Sequence, residues 1–312
     1  MPRARSNYNQ SCVPGRRRKP DPDWEEVTLE GEIHAPRKRQ RRRRIPPPAP
    51  SQQLWTTKKA LLIHHYLFGF VMVTRDGTYI DGFAGWLHEG DPDSWAANLV
   101  LELRPPLLKH FFLFELSNTK IGPLEELRAR HHGNGRTVEV FHEDFNAGVD
   151  RVLRPEVISM KEPTFCLVDQ QTAECNWATL ERLASYKREA DYKIELFYFL
   201  ADAWLNRVLE TTTREKSRDR LRAWWGRESY YEDLRYVPGA ERGQLVANRF
   251  QEELGYQFAT PYAIYDPEHP SRVMFYMVHG TDHPRAPDLM RRAYRSIVDA
   301  DPKESWEQLR LA

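Results

Sequence analysis

Cysteine is scarce in this sequence: Cys12, Cys166 and Cys175 are the three in 312 residues. Thiols so few and so scattered build no disulfide framework, and no Cys or His pair has zinc-site spacing. The expectation is a reducing, intracellular setting, the cytoplasm. Long apolar runs are missing too. No stretch approaches the ~20 residues that span a bilayer, and the start MPRARSNYNQ lacks the apolar segment of a secretory signal, so no membrane association is expected. Two ligand-binding signatures are absent. A Gly-Lys-Ser/Thr P-loop occurs nowhere, and Gly82-Phe83-Ala84-Gly85-Trp86-Leu87 does not supply the G-x-G-x-x-G of nicotinamide and flavin sites. Net charge is almost absent as well, at +1. That balance conceals an asymmetry: residues 1–50 carry 13 Lys and Arg against 6 Asp and Glu, a net +7 that leaves residues 51–312 at −6.

What is present divides at residue 50. Residues 1–50 combine GRRRKPDPD, PRKRQRRRR and IPPPAP with little apolar material to offset the entropy of ordering. This is the composition of a disordered basic arm ending in a stiff proline segment. Arginine runs of such density neutralise phosphates, which makes residues 1–45 a candidate tether for DNA or RNA; a solvated tail and an address signal share the composition.

Residues 51–312 read as a folded α/β domain. LWTTKKALLIHHYLFGFVMV repeats apolar residues at helical spacing (Leu61, Leu62, Tyr66, Leu67, Phe70). Strand and helix signals then alternate. Strands are expected at TYID (78–81), KHFFLFE (109–115), TVEVFHED (137–144), TFCLVD (164–169) and YKIELFYFL (192–200). Helices are expected between them at 94–104, 118–132, around 148–153 and at 176–190. Near-continuous apolar strands separated by helices describe a parallel sheet covered on both faces. A polar helical insertion over about 202–255 follows, then QFATPYAIYD (257–266) and SRVMFYMVHG (271–280) as a hairpin, then a last helix at 286–298. The expected fold is a doubly wound, mostly parallel seven-stranded sheet of the class I methyltransferase-like Rossmann type.

In such a sheet ligands sit beyond the carboxyl ends of the strands, beside the first one. Strand one ends at Asp81, followed by Gly82, Phe83, Ala84 and Gly85, small residues that let a ligand approach backbone amides at the start of a helix. Strand two ends at Glu115, a carboxylate able to take both hydroxyls of a ribose. Strand three runs into Glu143-Asp144-Phe145-Asn146, an acid for an adenine amino group and an aromatic for its face, and strand four ends at Asp169, followed by Gln170, Gln171 and Thr172. Any one of these is an ordinary turn or helix-start charge; four acidic strand ends in succession point to an adenosine-type ligand. The Trp224-Trp225 and Tyr230-Tyr231 pairs in the insertion read either as stacking platforms or, more commonly, as caps on the sheet.

WTTKKALLIHHYL, YIDGFAG, HFFLFE, EDFN, VDQQTAECNWATLERLA, ELFYFLADAWLNR and MVHGTDHPRAPDLMRRAY, in that order over residues 54–296, resemble the three-Cys-motif partner (TcmP) family. The resemblance implies a bacterial or phage S-adenosylmethionine-dependent methyltransferase fold working beside a protein whose three cysteines form a radical-SAM-like motif. Those cysteines belong to the partner. By this likeness Asp81, Gly82, Phe83, Ala84 and Gly85 hold the methionine part of the cofactor, Glu115 its ribose and Asp144 its adenine, with Phe145 the aromatic beside it; Asp169 is placed to orient or deprotonate a substrate group, and Gln170 and Gln171 to hydrogen-bond a base edge. The family usually continues its glycine turn with Pro-Gly, where this chain has Trp86-Leu87, and usually has Asp-Pro-Phe-Gly after strand four, where this chain has Asp169-Gln170-Gln171-Thr172. These departures imply either a different substrate, nucleic acid or a nucleobase being the first expectation, or an accessory subunit that has lost catalysis and recruits the partner.

Overall fold

The computed structural model describes residues 50–86, 92–188, 192–211, 214–266, 269 and 271–298. The expected basic arm, apart from Pro50, lies outside the described residues. Helix α1 (Pro50–Thr74) leads into β1 (Thr78–Asp81), followed by α2 (Ala96–Leu101), β2 (His110–Phe114), α3 (Asn118–His131), β3 (Thr137–Phe141), α4 (Phe145–Gly148), β4 (Thr164–Val168), α5 (Trp177–Tyr186) and β5 (Glu195–Leu200). Four helices form the insertion: α6 (Asp202–Thr211), α7 (Glu215–Trp225), α8 (Tyr230–Arg235) and α9 (Gly239–Glu252). Strands β6 (Phe258–Tyr265) and β7 (Val273–Thr281) and helix α10 (Ala286–Val298) complete the chain.

The seven strands form one sheet in the order β3-β2-β1-β4-β5-β7-β6. Strands β1 to β5 pair in parallel, while β7 runs against both β5 and β6. This is the doubly wound, mostly parallel sheet expected from the sequence, with its helical insertion before the last hairpin. Among the described residues no helix is long and apolar enough to cross a membrane.

Alternation along the strands splits the core into two layers. In β4, Phe165 and Leu167 pack on one face and Cys166 and Val168 on the other; in β5, Phe197 and Phe199 oppose Leu196, Tyr198 and Leu200. The odd-numbered rows meet α1 through Leu62, Ile63, Tyr66, Leu67 and Phe70, together with α10. The even-numbered rows meet α5 and the insertion through Trp177, Leu180, Leu221, Trp225 and Phe250. Each fully buried side chain of this size stabilises the fold by roughly 1.5–3 kcal/mol relative to exposure.

Several expected boundaries move. β2 stops at Phe114 and β4 at Val168, so Glu115 and Asp169 stand just past the ladder. β3 stops at Phe141, and the helix expected around 148–153 starts at Phe145, because the Asp144 carboxylate caps it by accepting from the Asn146 N–H.

Candidate functional site

β1 lies between β2 and β4, the place in a doubly wound sheet where connections diverge and leave a crevice at the carboxyl ends. Asp81, its last residue, stands opposite Leu113 and Leu167 and is 1% exposed. Its Oδ2 accepts from the Tyr79 hydroxyl at 2.8 Å and its Oδ1 from the Phe83 N–H at 3.0 Å. Burial pushes the Asp81 carboxyl up to about 7. The nearby carboxylates of Asp169 and Glu115 push the same way, while the Phe83 N–H and Tyr79 hydroxyl pull it down.

The turn after Asp81 differs in use from the expectation. The Gly82 N–H donates to the Leu167 carbonyl at 3.0 Å and the Ala84 N–H to the Phe114 carbonyl at 2.8 Å, pinning the turn to both neighbouring strands. With the Phe83 N–H on Asp81, three amides expected to face a ligand are spent inside the protein, and no helix begins at the turn. The glycines are required for another reason. A Cβ on Gly82 would lie 2.6 Å from the Phe145 ring, and one on Gly85 would lie 1.8 Å from Glu115 Oε2 and 2.5 Å from Lys120 Cδ. The missing side chains admit two of the residues expected to hold adenosine. Trp95 closes the turn by donating its indole N–H to the Ala84 carbonyl at 2.6 Å. Trp86 is half-buried, and its own indole N–H has no acceptor among the described residues.

Glu115 divides its oxygens. Oε1 accepts from the Ser117 N–H at 2.7 Å at the start of α3, while Oε2 lies against Gly85. Leu116 beside it is 66% exposed, an apolar surface next to a carboxylate that the sequence reading passed over. Phe145 is buried under the turn, edge-on to Phe83 and Phe114 with centroids 6.1 and 5.1 Å away. Asp144 is exposed and committed to its own helix, with Oδ1 accepting from the Asn146 backbone and side chain, both at 2.9 Å. Its charge is felt at the Cys175 thiol, on the loop after β4.

Asp169 forms a buried ion pair with Lys59 of α1; the side chains are 13% and 5% exposed. The ammonium also stands 4.8 Å from the centroid of the Phe199 ring and 6.0 Å from that of Phe275. Pairing of this kind offsets the desolvation that burying either charge alone would cost. The sequence carried a signal for Lys59: it falls three and four residues before Leu62 and Ile63, in the apolar stripe of α1, where a charge needs a buried partner.

Gln170 does not face the crevice. It is 1% exposed, its Oε1 accepts from the N–H groups of Glu174 and Cys175, both at 2.9 Å, and its Nε2 donates to the Phe199 carbonyl at 3.1 Å. With its amide occupied, Gln170 holds the loop after β4 against β5, a positioning role in place of the expected contact with substrate. Cys175 and Cys166 are fully buried, and burial raises both thiols. Both are inert core groups. Trp224, Trp225 and Tyr230 are buried caps on the sheet.

The structure therefore gathers Asp81, Glu115 and Asp169. All three continue the odd-numbered rows that face α1, and Asp169 among them is ion-paired with Lys59. The neighbouring Asp169 and Glu115 charges both bear on the buried Asp81 carboxyl, and carboxylates gathered at a crevice favour a cationic ligand. No family model matches the chain, and no curated protein does. Among solved structures it is similar to protein LPL1258 from Legionella pneumophila, of family DUF519, at 8% identity over 78% of this chain and 91% of that one, with a TM-score of 0.45. It is also similar to the archaeal protein PH0851, at 12% identity over 75% of this chain and 50% of that one, with a TM-score of 0.28.

Proposed function

We propose that this chain binds S-adenosylmethionine and transfers its methyl group to nucleic acid or a nucleobase, in company with a three-Cys-motif partner. The observation that carries this reading is the cluster of Asp81, Glu115 and Asp169 at the carboxyl ends of β1, β2 and β4, with Asp81 held at about 7 by burial and by its two neighbours. A carboxyl in that state is stabilised by an incoming cation. The ligand fits on this ground: it carries an ammonium and a sulfonium, and when bound it supplies an activated methyl group. Asp81 would take the ammonium, the Glu115 oxygen that faces Gly85 would meet the ribose, and exposed Leu116 offers an apolar surface for the base. Asp169, held in place by Lys59, would accept a hydrogen bond from the nucleophile and orient it.

A second reading has its own observation. The segment after β4 is closed on itself through Gln170 and Glu174, whose carboxylate accepts from the N–H groups of Gln171 and Thr172 at 2.8 and 3.0 Å. Such a loop suits an accessory subunit that keeps the scaffold and brings the partner to its substrate.

Calorimetric titration with S-adenosylmethionine tests the cofactor. Saturable binding by the wild type is expected, weakened roughly tenfold or more in Asp81→Ala and Glu115→Ala by loss of a charged contact. A wild-type chain that gives no binding heat overturns the reading. Methyl transfer to DNA, RNA or protein by the isolated chain counts against the accessory alternative, and co-purification with a three-Cys-motif protein without turnover favours it.

A further inference from the structure

Helix α8 presents an exposed stack that the site above does not use. Tyr231 and Arg235 are four residues apart and so share a helix face; the next residue, Tyr236, closes the helix. The Arg235 guanidinium lies 5.1 Å from the Tyr231 ring centroid and 4.9 Å from that of Tyr236. Tyr236 is 76% exposed, more than any other large hydrophobic residue described.

The mount beneath this stack is rigid. Tyr230 and Leu234 bury the opposite face of α8, and the Asp233 carboxylate accepts from Trp225 Nε1 at 2.7 Å and from the Ser229 hydroxyl at 3.0 Å. Arg242 pairs with Asp202, just past the carboxyl end of β5, at 3.0 Å, and donates to the Leu234 carbonyl at 3.4 Å. Helix α7, which packs on α8, reaches the loop after β4 through Arg220, whose Nε donates to the Ala173 carbonyl at 2.7 Å. The stack is thus tied to the end of the sheet that holds the carboxylate cluster.

We propose that Tyr231, Arg235 and Tyr236 form a docking platform for a single-stranded nucleic acid, with a base stacked on the open face of the Tyr236 ring beside the Arg235 cation. Flat faces and a fixed cation are what an unpaired base recognises, whatever its identity. Arg214, Lys216 and Arg218 are exposed at the start of α7 among the exposed acids Glu215 and Asp219, so the cation that serves a phosphate beside the rings is Arg235. A protein partner is disfavoured by the surroundings. Among the described residues the other exposed large hydrophobics, Val73, Leu116 and Tyr192, lie outside the insertion, and α8 itself exposes Glu232 and Arg235 beside Tyr236, a charged setting unlike an apolar interface core.

The inference rests on the nucleic acid part of the proposed function and is separable from its cofactor part. Fluorescence anisotropy of the full chain with labelled single-stranded and duplex oligonucleotides, at raised salt to suppress the basic arm, reads it directly. Tyr236→Ala and Arg235→Ala are each expected to weaken single-strand binding roughly tenfold, with little effect on duplex binding; Tyr236→Phe retains the ring and the affinity. Thermal unfolding and S-adenosylmethionine binding should be unchanged in all three. Single-strand affinity indifferent to Tyr236→Ala and Arg235→Ala, or no single-strand binding by the wild type, overturns the platform even where the cofactor binds. Loss of a co-purifying protein in Tyr236→Ala with oligonucleotide binding intact also overturns it, in favour of a protein contact. A platform that passes in a chain that does not bind the cofactor leaves this inference standing and sinks the methyl-transfer reading.

Discussion

The two ends of the parallel strands handle charge in opposite ways. At the amino ends Lys187 is 1% exposed, and its ammonium donates to the Glu162 carbonyl and, at 2.8 Å, to the Thr164 hydroxyl. The Glu162 carboxylate accepts from the Thr78 hydroxyl. Burial lowers Lys187 to about 8 and Glu162 pulls it back, so one acid balances one base. At the carboxyl ends, Asp81, Glu115 and Asp169 crowd together, and the ion pair among them is that of Asp169 with Lys59. Fold stability accounts for the first arrangement. The second works against it, since burial, with the neighbouring Asp169 and Glu115 charges, raises the cost of ionising Asp81. A buried carboxyl held in this state is what a site for a cationic ligand requires.

The contrast can be broken first at its two lysines. Lys59→Met leaves the carboxylate cluster without its ion-paired cation and is expected to cost about 3–5 kcal/mol in urea denaturation at pH 8. That cost should shrink at pH 5 as Asp81 protonates. An equal cost at both pH values would show that Lys59 serves packing alone. Lys187→Met removes a donor from the Glu162 carbonyl and the Thr164 hydroxyl and is expected to cost about 1–3 kcal/mol, with the same value at pH 5 and pH 7, where the wild-type lysine stays charged.

Asp81 sharpens the comparison further. Its folded-state value of about 7 lies above the ordinary 3.8. Between those limits the folded chain binds a proton that the unfolded chain has released, so this group's contribution to stability falls as pH rises from about 4 to about 7 and is level above. Asp81→Asn should abolish that slope and, at pH 8, stabilise the free chain by about 1 kcal/mol while weakening S-adenosylmethionine binding. Loss of stability at pH 8 in this variant would remove the argument that the carboxyl end is strained by like charge. The smallest effect is expected at Gly85. A Cβ there meets Glu115 Oε2, the tip of a flexible side chain, so Gly85→Ala should shift thermal stability by less than about 1 kcal/mol while displacing the carboxylate and lowering cofactor affinity.

Much of this molecule was legible from its residues. Near-continuous apolar strands separated by helices gave the parallel, two-sided sheet, and the strand ends located Asp81, Glu115 and Asp169. What stayed hidden were partners from distant segments. Lys59 and Asp169 are 110 positions apart, and nothing near Asp169 announces the pairing. Gln170 read as polar and available because its neighbours are polar, yet the carbonyl it satisfies belongs to Phe199 on another strand. Asp144 read as one of four equivalent strand-end acids, but a local cap competes for its carboxylate and wins. The amides of Gly82 and Ala84 read as free because a glycine turn resembles a ligand cradle, whereas the strands on either side take both.

By itself the sequence determined the order and type of the strands, the two-layer core and the presence of acids at the strand ends, since these follow from side-chain periodicity, which is local. Tertiary structure alone decided which acids meet, which cation joins them and which polar groups remain for a ligand. Those outcomes depend on burial and on hydrogen-bond partners that reach one another only when β1, β2, β4 and α1 converge.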